Sequence, residues 1–305
     1  MNCVGHIKVY QNEIRSYRDL PLKFCEYGVV HRHEKSGVLH GLFRVREFTQ
    51  DDAHIFCMPS QIKENVYEIL DFVDLLMKSF GFNYEMEIST KPQKAVGDDE
   101  VWEIATQALK DALDERGLKY GIDEGGGAFY GPKIDIKITD ALKRKWQCGT
   151  VQVDFNLPSR FELGYIDENN EKKQPVMLHR AILGSFERFI GILIEHTAGE
   201  LPFWLCPTQV AIIPISENHH AYAKEIAEKL RNLEIDSEIF SKNETLNKRI
   251  RTAEKQKVPM IIVLGDNEVN EKSVALRDRR ERTQSNLSLE EFLNLCKQKS
   301  SEVNF

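Results

Sequence analysis

The sequence has no excess of positive charge. Its 41 Lys and Arg are outnumbered by 48 Asp and Glu, giving a net charge of −7 over 305 residues. That argues against a protein that coats nucleic acid with non-specific positive charge, while a local basic reading surface stays compatible with it. Long apolar runs are missing too. The longest mostly apolar stretch, Phe189 to Ile194, falls far short of a bilayer span. The opening residues Met1-Asn2-Cys3-Val4-Gly5-His6 carry no basic segment ahead of an apolar one, so no secretory signal is expected there. Cysteine is sparse: six residues, at positions 3, 25, 57, 148, 206 and 296, with no Cys-x-x-Cys pair. Such scatter suits a reducing, cytoplasmic setting rather than a disulfide scaffold. Internal repeats and low-complexity tracts are absent from the sequence. What is present is ordinary for a folded protein, with 41% hydrophobic and 29% charged residues.

A chain of this length suggests two domains. Pro202 and Pro207 interrupt the patterns on either side of Leu201-Pro202-Phe203-Trp204-Leu205-Cys206-Pro207, which puts the expected boundary between 1–206 and 207–305. Residues 207–305 carry 16 basic and 16 acidic side chains, so the acidity belongs to residues 1–206. The second part alternates strand and helix: a strand over Gln209 to Ile215, a helix over Ala221 to Leu233 and a strand over Pro259 to Leu264. A Ser288/Glu291 capping box precedes the last helix. In the first part Ile62, Val66, Ile69, Val73, Leu76 and Phe80 form one helical face, stopped by Gly81. Ile134, Ile136 and Ile138 alternate with polar residues as in a half-buried strand, and Thr150 to Phe155 reads as another. This mixture predicts an α+β domain with an antiparallel sheet, then a smaller α/β domain.

No familiar nucleotide loop appears. The run Gly125 to Lys133 lacks the Gly-Lys-Ser/Thr ending of a P-loop and reads on spacing as a flexible hairpin loop. His31-Arg32-His33-Glu34 and Phe43 to His54 are dense in forked and charged donors. They fit either a polar surface hairpin or a site for phosphate and carboxylate. Arg188, in the first turns of an apolar helix, is placed for an anionic ligand or a surface salt bridge.

Taken in order, Asn2-Cys3, His31 to Glu34, Phe48 to His54, Ala128 to Lys133, Gln147 to Gln152 and His179 to Ser185 resemble the threonyl-tRNA synthetases. The resemblance runs over essentially the whole chain. It implies a class II synthetase-type antiparallel sheet with helices, followed by an α/β anticodon-binding domain. The implied activity is ATP-dependent activation of L-threonine to threonyl-adenylate and transfer to tRNA(Thr). Arg32-His33-Glu34 matches the family's motif 2, and Gly184 to Arg188 its motif 3. By that match Arg32 and Arg188 are catalytic, with Arg32 on the α-phosphate and the substrate carboxylate. Glu34 reads the adenine amine, Arg44 and Arg188 hold the distal phosphates, and Gln147 and Ser185 complete the ATP site. Mg²⁺ accompanies the ATP.

The resemblance also implies one zinc ion per chain, on Cys3, His54 and His179, binding the amino group and hydroxyl of threonine. Gln50, Asp52, Tyr130, Lys133 and Gln152 match positions of the threonine pocket. Asn243, Arg251, Glu268 and Arg277 match positions that read the anticodon, the last within the basic run Arg277 to Arg282. A homodimer and no membrane contact complete the expectation. Serine, one methyl short of threonine, is expected to leak through such a site. The family corrects this in an N-terminal editing domain that the sequence does not show.

Three departures stand out. Val4 replaces the family's usual proline, and Gly126 stands where glutamate is common. Motif 1, which precedes Asn2-Cys3 in the family and builds its dimer interface, is missing. The chain therefore reads as the C-terminal part of a larger enzyme. The rival readings are a non-catalytic tRNA-binding or regulatory fragment, and a sibling enzyme for another amino acid.

Overall fold

The alternation of Ile134, Ile136 and Ile138 with charged residues becomes a strand at the middle of the first unit of the computed structural model, which describes residues 2–241 and 243–303. The chain divides into two compact units, 1–196 and 197–305. In chain order the first unit runs α1 (Cys3–Tyr10), β1 (Arg15–Ser16), β2 (Leu22–His31), β3 (Glu47–Cys57), α2 (Ile62–Ser79), β4 (Tyr84–Ser89), α3 (Asp99–Glu115) and β5 (Tyr120–Asp123). It continues with β6 (Lys133–Thr139), β7 (Lys145–Asp154), α4 (Asn156–Arg160), β8 (Tyr165–Ile166), β9 (Lys172–Lys173), β10 (Val176–Ala181) and α5 (Phe186–His196).

A seven-stranded sheet in the order β2-β3-β10-β7-β6-β4-β5 organises this unit. Neighbouring strands are antiparallel except β4 and β5. Side chains alternate across a strand, so each strand gives one face to apolar packing and the other to polar groups. Ile134, Ile136, Ile138, Val151 and Val153 are fully buried. Helices α2 and α3 pack together, α2 also against β7 and β10, α3 against β4 and β6. The α2 stripe is Ile62, Val66, Ile69 and Val73, completed by Met77, with Gly81 at φ 68° just beyond the helix end. Helix α1 docks elsewhere: Cys3, Ile7 and Tyr10 pack with Phe56 and Met177.

One irregularity matters for the site. Along β6 and β7, Ile136 faces Gly149, but Lys137 faces Gln147, so Cys148 is one residue extra. This is a β-bulge.

In the second unit, β11 (Val210–Pro214), α6 (His220–Asn232), β12 (Ser237–Ile239), α7 (Leu246–Lys255), β13 (Met260–Leu264), α8 (Asp266–Glu271), β14 (Ser273–Asp278), β15 (Thr283–Ser288) and α9 (Leu289–Ser301) follow one another. The sheet order is β12-β11-β13-β14-β15, parallel over the first three strands and antiparallel over the last two pairs. Val210 and Ile212 pack with α6 and α9, while Ala211 and Ile213 pack with α7. The expected Ser288/Glu291 capping box opens α9.

The unit boundary lies between 196 and 197, ten residues ahead of the one the prolines suggested. Residues 197–206 are tied to the second unit. Phe203 is part of its core, its carbonyl accepts from Gln209 Nε2 at 3.0 Å, and Glu200 pairs with Lys257 and Arg279.

Candidate active site

A cavity of about 470 Å³ opens on the face of the first sheet away from α2 and α3. Strand β3 lines it with every second residue: Phe48, Gln50, Asp52 and His54. At about 3.4 Å per residue, that row spans about 20 Å. Arginines gather at one end, and His54, His179 and the Cys3 thiol at the other.

The loop between β2 and β3 supplies the cationic end. Arg32 donates its backbone N–H to Arg46 O at 2.8 Å, and its guanidinium lies 4.9 Å over the Phe48 ring. Glu34 accepts from Arg44 Nε at 3.2 Å and from Arg44 Nη2 at 3.1 Å. Across the cavity, Arg188 donates Nε to Phe43 O at 2.8 Å. Ser185 Oγ donates to Glu187 at 2.9 Å, and Glu187 accepts the Thr49 N–H at 2.9 Å.

The turn leading into α5 is held by Asp51. Its carboxylate accepts the N–H groups of Ile182 at 2.7 Å, Leu183 at 3.1 Å and Gly184 at 3.2 Å. Gly184 has φ 74°, and a Cβ there would sit 2.4 Å from Cys148 O, so only glycine fits.

The bulge at Cys148 sets the amide wall. Thr150 and Gln152 share a face by the ordinary alternation of β7. Gln147 joins that face because the extra residue shifts the alternation by one. The buried Asp135 gathers the result: one oxygen accepts from Gln147 Nε2 at 2.5 Å and Thr150 Oγ1 at 2.8 Å. The other accepts from Ser89 Oγ at 2.9 Å and pairs with Lys133.

At the opposite end, His54 and His179 stand in register on β3 and β10, and Gln152 is in register with His179 on the next strand. His54 Nδ1 meets His6 Nδ1 at 2.7 Å, and His6 Nε2 lies 3.3 Å from Glu26. His179 Nε2 meets Asp154 Oδ2 at 3.0 Å. Burial, with His179 and His6 beside it, pushes the His54 imidazole down to about 2, so it is neutral. Burial raises the Cys3 thiol, against a backbone hydrogen bond at Val4. It raises Asp52 as well, opposed by His179 and His6. Tyr130 donates its hydroxyl to Gln152 Oε1 at 2.6 Å, and burial holds its phenol far above the usual range. Gly28 makes room for Asn2: a Cβ there would come 1.7 Å from the Asn2 amide nitrogen.

Two family models match the chain, one over each unit. Residues 1–197 match the family described as tRNA synthetase class II core domain (G, H, P, S and T), and residues 209–299 match the anticodon binding domain. The threonine–tRNA ligase of Campylobacter hominis is 84% identical over all 305 residues, which cover 50% of that relative. That of Campylobacter lari is 81% identical, with 51% covered. Among solved structures, the RNA binding domain of threonyl-tRNA synthetase from Cryptosporidium parvum superposes with a TM-score of 0.94 at 43% identity, covering 100% of this chain and 77% of that one.

The chain belongs to the threonyl-tRNA synthetase family. It spans about half the length of the curated relatives it matches.

Of the residues that the family resemblance implies for ATP, Arg32, Glu34, Arg44, Gln147, Ser185 and Arg188 all line the one cavity. So do Gln50, Asp52, Tyr130 and Gln152. Lys133 does not. It stands in register beside Gln152, but its ammonium is tied to Asp135. Glu34 and Arg44, implied for opposite ends of ATP, pair with each other here.

Cys3, His54 and His179 also line the cavity. Among the described residues, however, no three His, Cys, Asp or Glu side chains form a group that could hold a metal ion. The donor chemistry still fits zinc, which takes thiolate and imidazole ligands. Each imidazole has one nitrogen engaged, by His6 or by Asp154, and such a second partner is what orients a metal-binding histidine.

In the second unit, Asn243 precedes α7 and Arg251 is exposed on it. Arg277 lies on β14 in register with Ile261, whose side packs against α7. Glu268 has a structural task already, accepting the Gly265 N–H at 2.8 Å to cap α8. The basic run is partly internal scaffolding. Arg279 grips Glu200, and the buried Asp278 accepts the N–H groups of Arg280 and Glu281. No helix among the described residues is long and apolar enough to cross a membrane.

Asp135, Asp51, Asp154, His6 and Asn2 went unnoticed in the sequence as parts of the site. Their only signal is that each lies within or beside a segment that carries the family resemblance.

Proposed function

We propose that the chain activates L-threonine with ATP to threonyl-adenylate and transfers the threonyl group to tRNA(Thr). The observation that carries this is the polarity of the cavity. Arg32, Arg44 and Arg188 gather at one end and Asp52, Tyr130, Gln152, His54 and His179 at the other, joined by the Phe48-to-His54 row of β3.

In this reading a threonine carboxylate oxygen attacks the α-phosphorus, the new O–P bond forms, and pyrophosphate leaves. No side-chain nucleophile is needed. The arginines hold two anions in line and offset the charge that grows between them. Arg32 is positioned for the α-phosphate and carboxylate. Arg188 and Arg44 serve the distal phosphates, and ATP entry requires Arg44 to exchange its Glu34 partner for phosphate. Glu34 then serves the adenine amine. Gln147 and Ser185 stand beside the nucleotide.

At the other end, Cys3, His54 and His179 would hold zinc. Bound there, zinc supplies a Lewis acid that takes the amino group and hydroxyl of threonine together. Asp52, Gln50, Tyr130 and Gln152 complete the pocket, with Lys133 acting through Asp135. Mg²⁺ arrives with ATP. Asn243, Arg251, Glu268 and Arg277 read the anticodon, whose unstacked bases offer their edges to amide and forked side chains. A homodimer in the cytoplasm is the setting that goes with this reading.

Threonine-dependent ATP–pyrophosphate exchange tests it, with a panel of other amino acids and with Arg32→Ala as control. Exchange specific to threonine and lost in Arg32→Ala supports the enzyme. Absent exchange with tight tRNA binding supports an RNA-binding fragment instead, a reading favoured by the RNA binding domain that superposes on the whole chain.

A further inference from the structure

The loop between β2 and β3 carries Arg32, Glu34 and Arg44, yet much of what holds it lies at the β6–β7 turn. The Phe43 ring stacks on the Trp146 ring, with centroids 4.8 Å apart and planes 18° apart. On the loop itself the His40 ring stacks on Phe43 at 5.4 Å and 25°. The Arg144 guanidinium lies 5.1 Å from the Trp146 ring and 5.8 Å from the Phe43 ring. Both distances are within cation–π range.

One carboxylate orients this array. Asp140, with its side chain 1% exposed, accepts from Trp146 Nε1 at 2.9 Å and Arg144 Nε at 2.6 Å through the same oxygen. Its other oxygen accepts the N–H groups of Leu142 and Arg144, each at 2.9 Å, closing the turn. Burial works against its charge, but the bonds from Trp146 and Arg144 hold its carboxyl at about 2. Arg144 also pairs with Glu195 of α5.

The array meets the nucleotide end at Phe43. Its carbonyl holds Arg188 Nε at 2.8 Å, and Arg44 is the next residue along the chain. Helix α5 backs the same segment: a Cβ on Gly191 would lie 3.3 Å from Leu42 and 3.5 Å from the Phe43 ring.

We propose that Asp140, Arg144 and Trp146 form a latch that fixes the Phe43 segment and thereby sets the positions of Arg44 and Arg188. Asp140 is then a positioning residue for the nucleotide. Its effect on ATP rests on the nucleotide-binding reading above, whereas its effect on the loop does not.

The test uses Asp140→Asn, Trp146→Ala and Phe43→Ala, with Phe43→Tyr as the variant that keeps the ring. Amide hydrogen exchange reads the loop directly. Asp140→Asn, Trp146→Ala and Phe43→Ala should each speed exchange over residues 36–46 by about tenfold and leave β10 unchanged. In the pyrophosphate exchange assay the KM for ATP should rise by about tenfold while the KM for threonine stays within about twofold. Phe43→Tyr should restore both readouts. Unchanged loop exchange in folded Phe43→Ala and Trp146→Ala overturns the latch, as does an equal rise in both KM values. If the parent chain neither binds ATP by calorimetry nor exchanges pyrophosphate, the nucleotide reading fails, and hydrogen exchange alone still decides the latch.

Discussion

His54 and His179 face each other across adjacent antiparallel strands, their rings edge to face with centroids 4.8 Å apart. Two imidazolium ions that close in a buried site would repel strongly, and His54 is held neutral. A neutral imidazole with one nitrogen already engaged is suited to accept a cation. The purified chain should carry about one zinc per molecule, and His54→Ala or His179→Ala should lower that content by at least about tenfold. Elemental analysis after dialysis against a mild chelator measures it. Full zinc content in both variants would reject the assigned ligands.

Asp135 joins four donors from four positions on three strands, and one of them is the ammonium of Lys133. Asp135→Asn leaves that half-buried cation without its buried counter-charge. The expected cost is about 3–5 kcal/mol, seen as a lower urea midpoint with an unchanged m value. Because Gln147 and Thr150 lose their common acceptor, pyrophosphate exchange should fall in the fraction that stays folded.

A pocket built to bond a hydroxyl separates valine and serine from threonine differently. Valine leaves polar groups unpaired and should be rejected by on the order of 10⁴-fold or more in kcat/KM. Serine lacks only a methyl and should be used about 10–200-fold less well than threonine. Pyrophosphate exchange with the three amino acids gives both ratios. Equal use of valine and threonine would remove hydroxyl recognition from the site.

Glu200 has its carboxyl lowered to about 2, against an ordinary value of 4.5, chiefly by Arg279 and with help from Lys257. A depressed folded-state pKa contributes stability above the unfolded value and loses it as pH falls toward the folded one. Glu200→Gln should therefore lower Tm at pH 7. The gap to the parent should narrow steadily as pH drops from about 4.5 toward 2. Melting curves across that range check it, and a gap that stays constant with pH would assign the effect to packing.

Local pattern was enough for much of the scaffold. The Ile62-to-Val73 spacing marked α2, the Ile134-to-Ile138 alternation marked β6, and Ser288 with Glu291 marked the start of α9, because each reflects contacts within a turn or along a strand. The site was legible only through the family resemblance. His54 and His179 meet across strands whose pairing no local period encodes. Asp51 and Asp135 work through partners 131 to 133 and 12 to 46 residues away. The boundary expected at the prolines moved because Phe203 and Glu200 are held by long-range contacts with the second unit. Pairings such as Glu34 with Arg44 are visible only once the loop has closed on itself.

Cys148 gives β7 two reading frames. On its C-terminal side the even-numbered residues Thr150 and Gln152 face the cavity, and on its N-terminal side the odd-numbered Gln147 does. Deleting that single residue would merge the frames. Gln147 already stands opposite Lys137 and Trp146 opposite Ile138, so both would keep their faces and only the local bend would go. Drawing Cys148 into the ladder as an ordinary residue would do the opposite, turning Gln147 away from the cavity and every residue before it onto the other face.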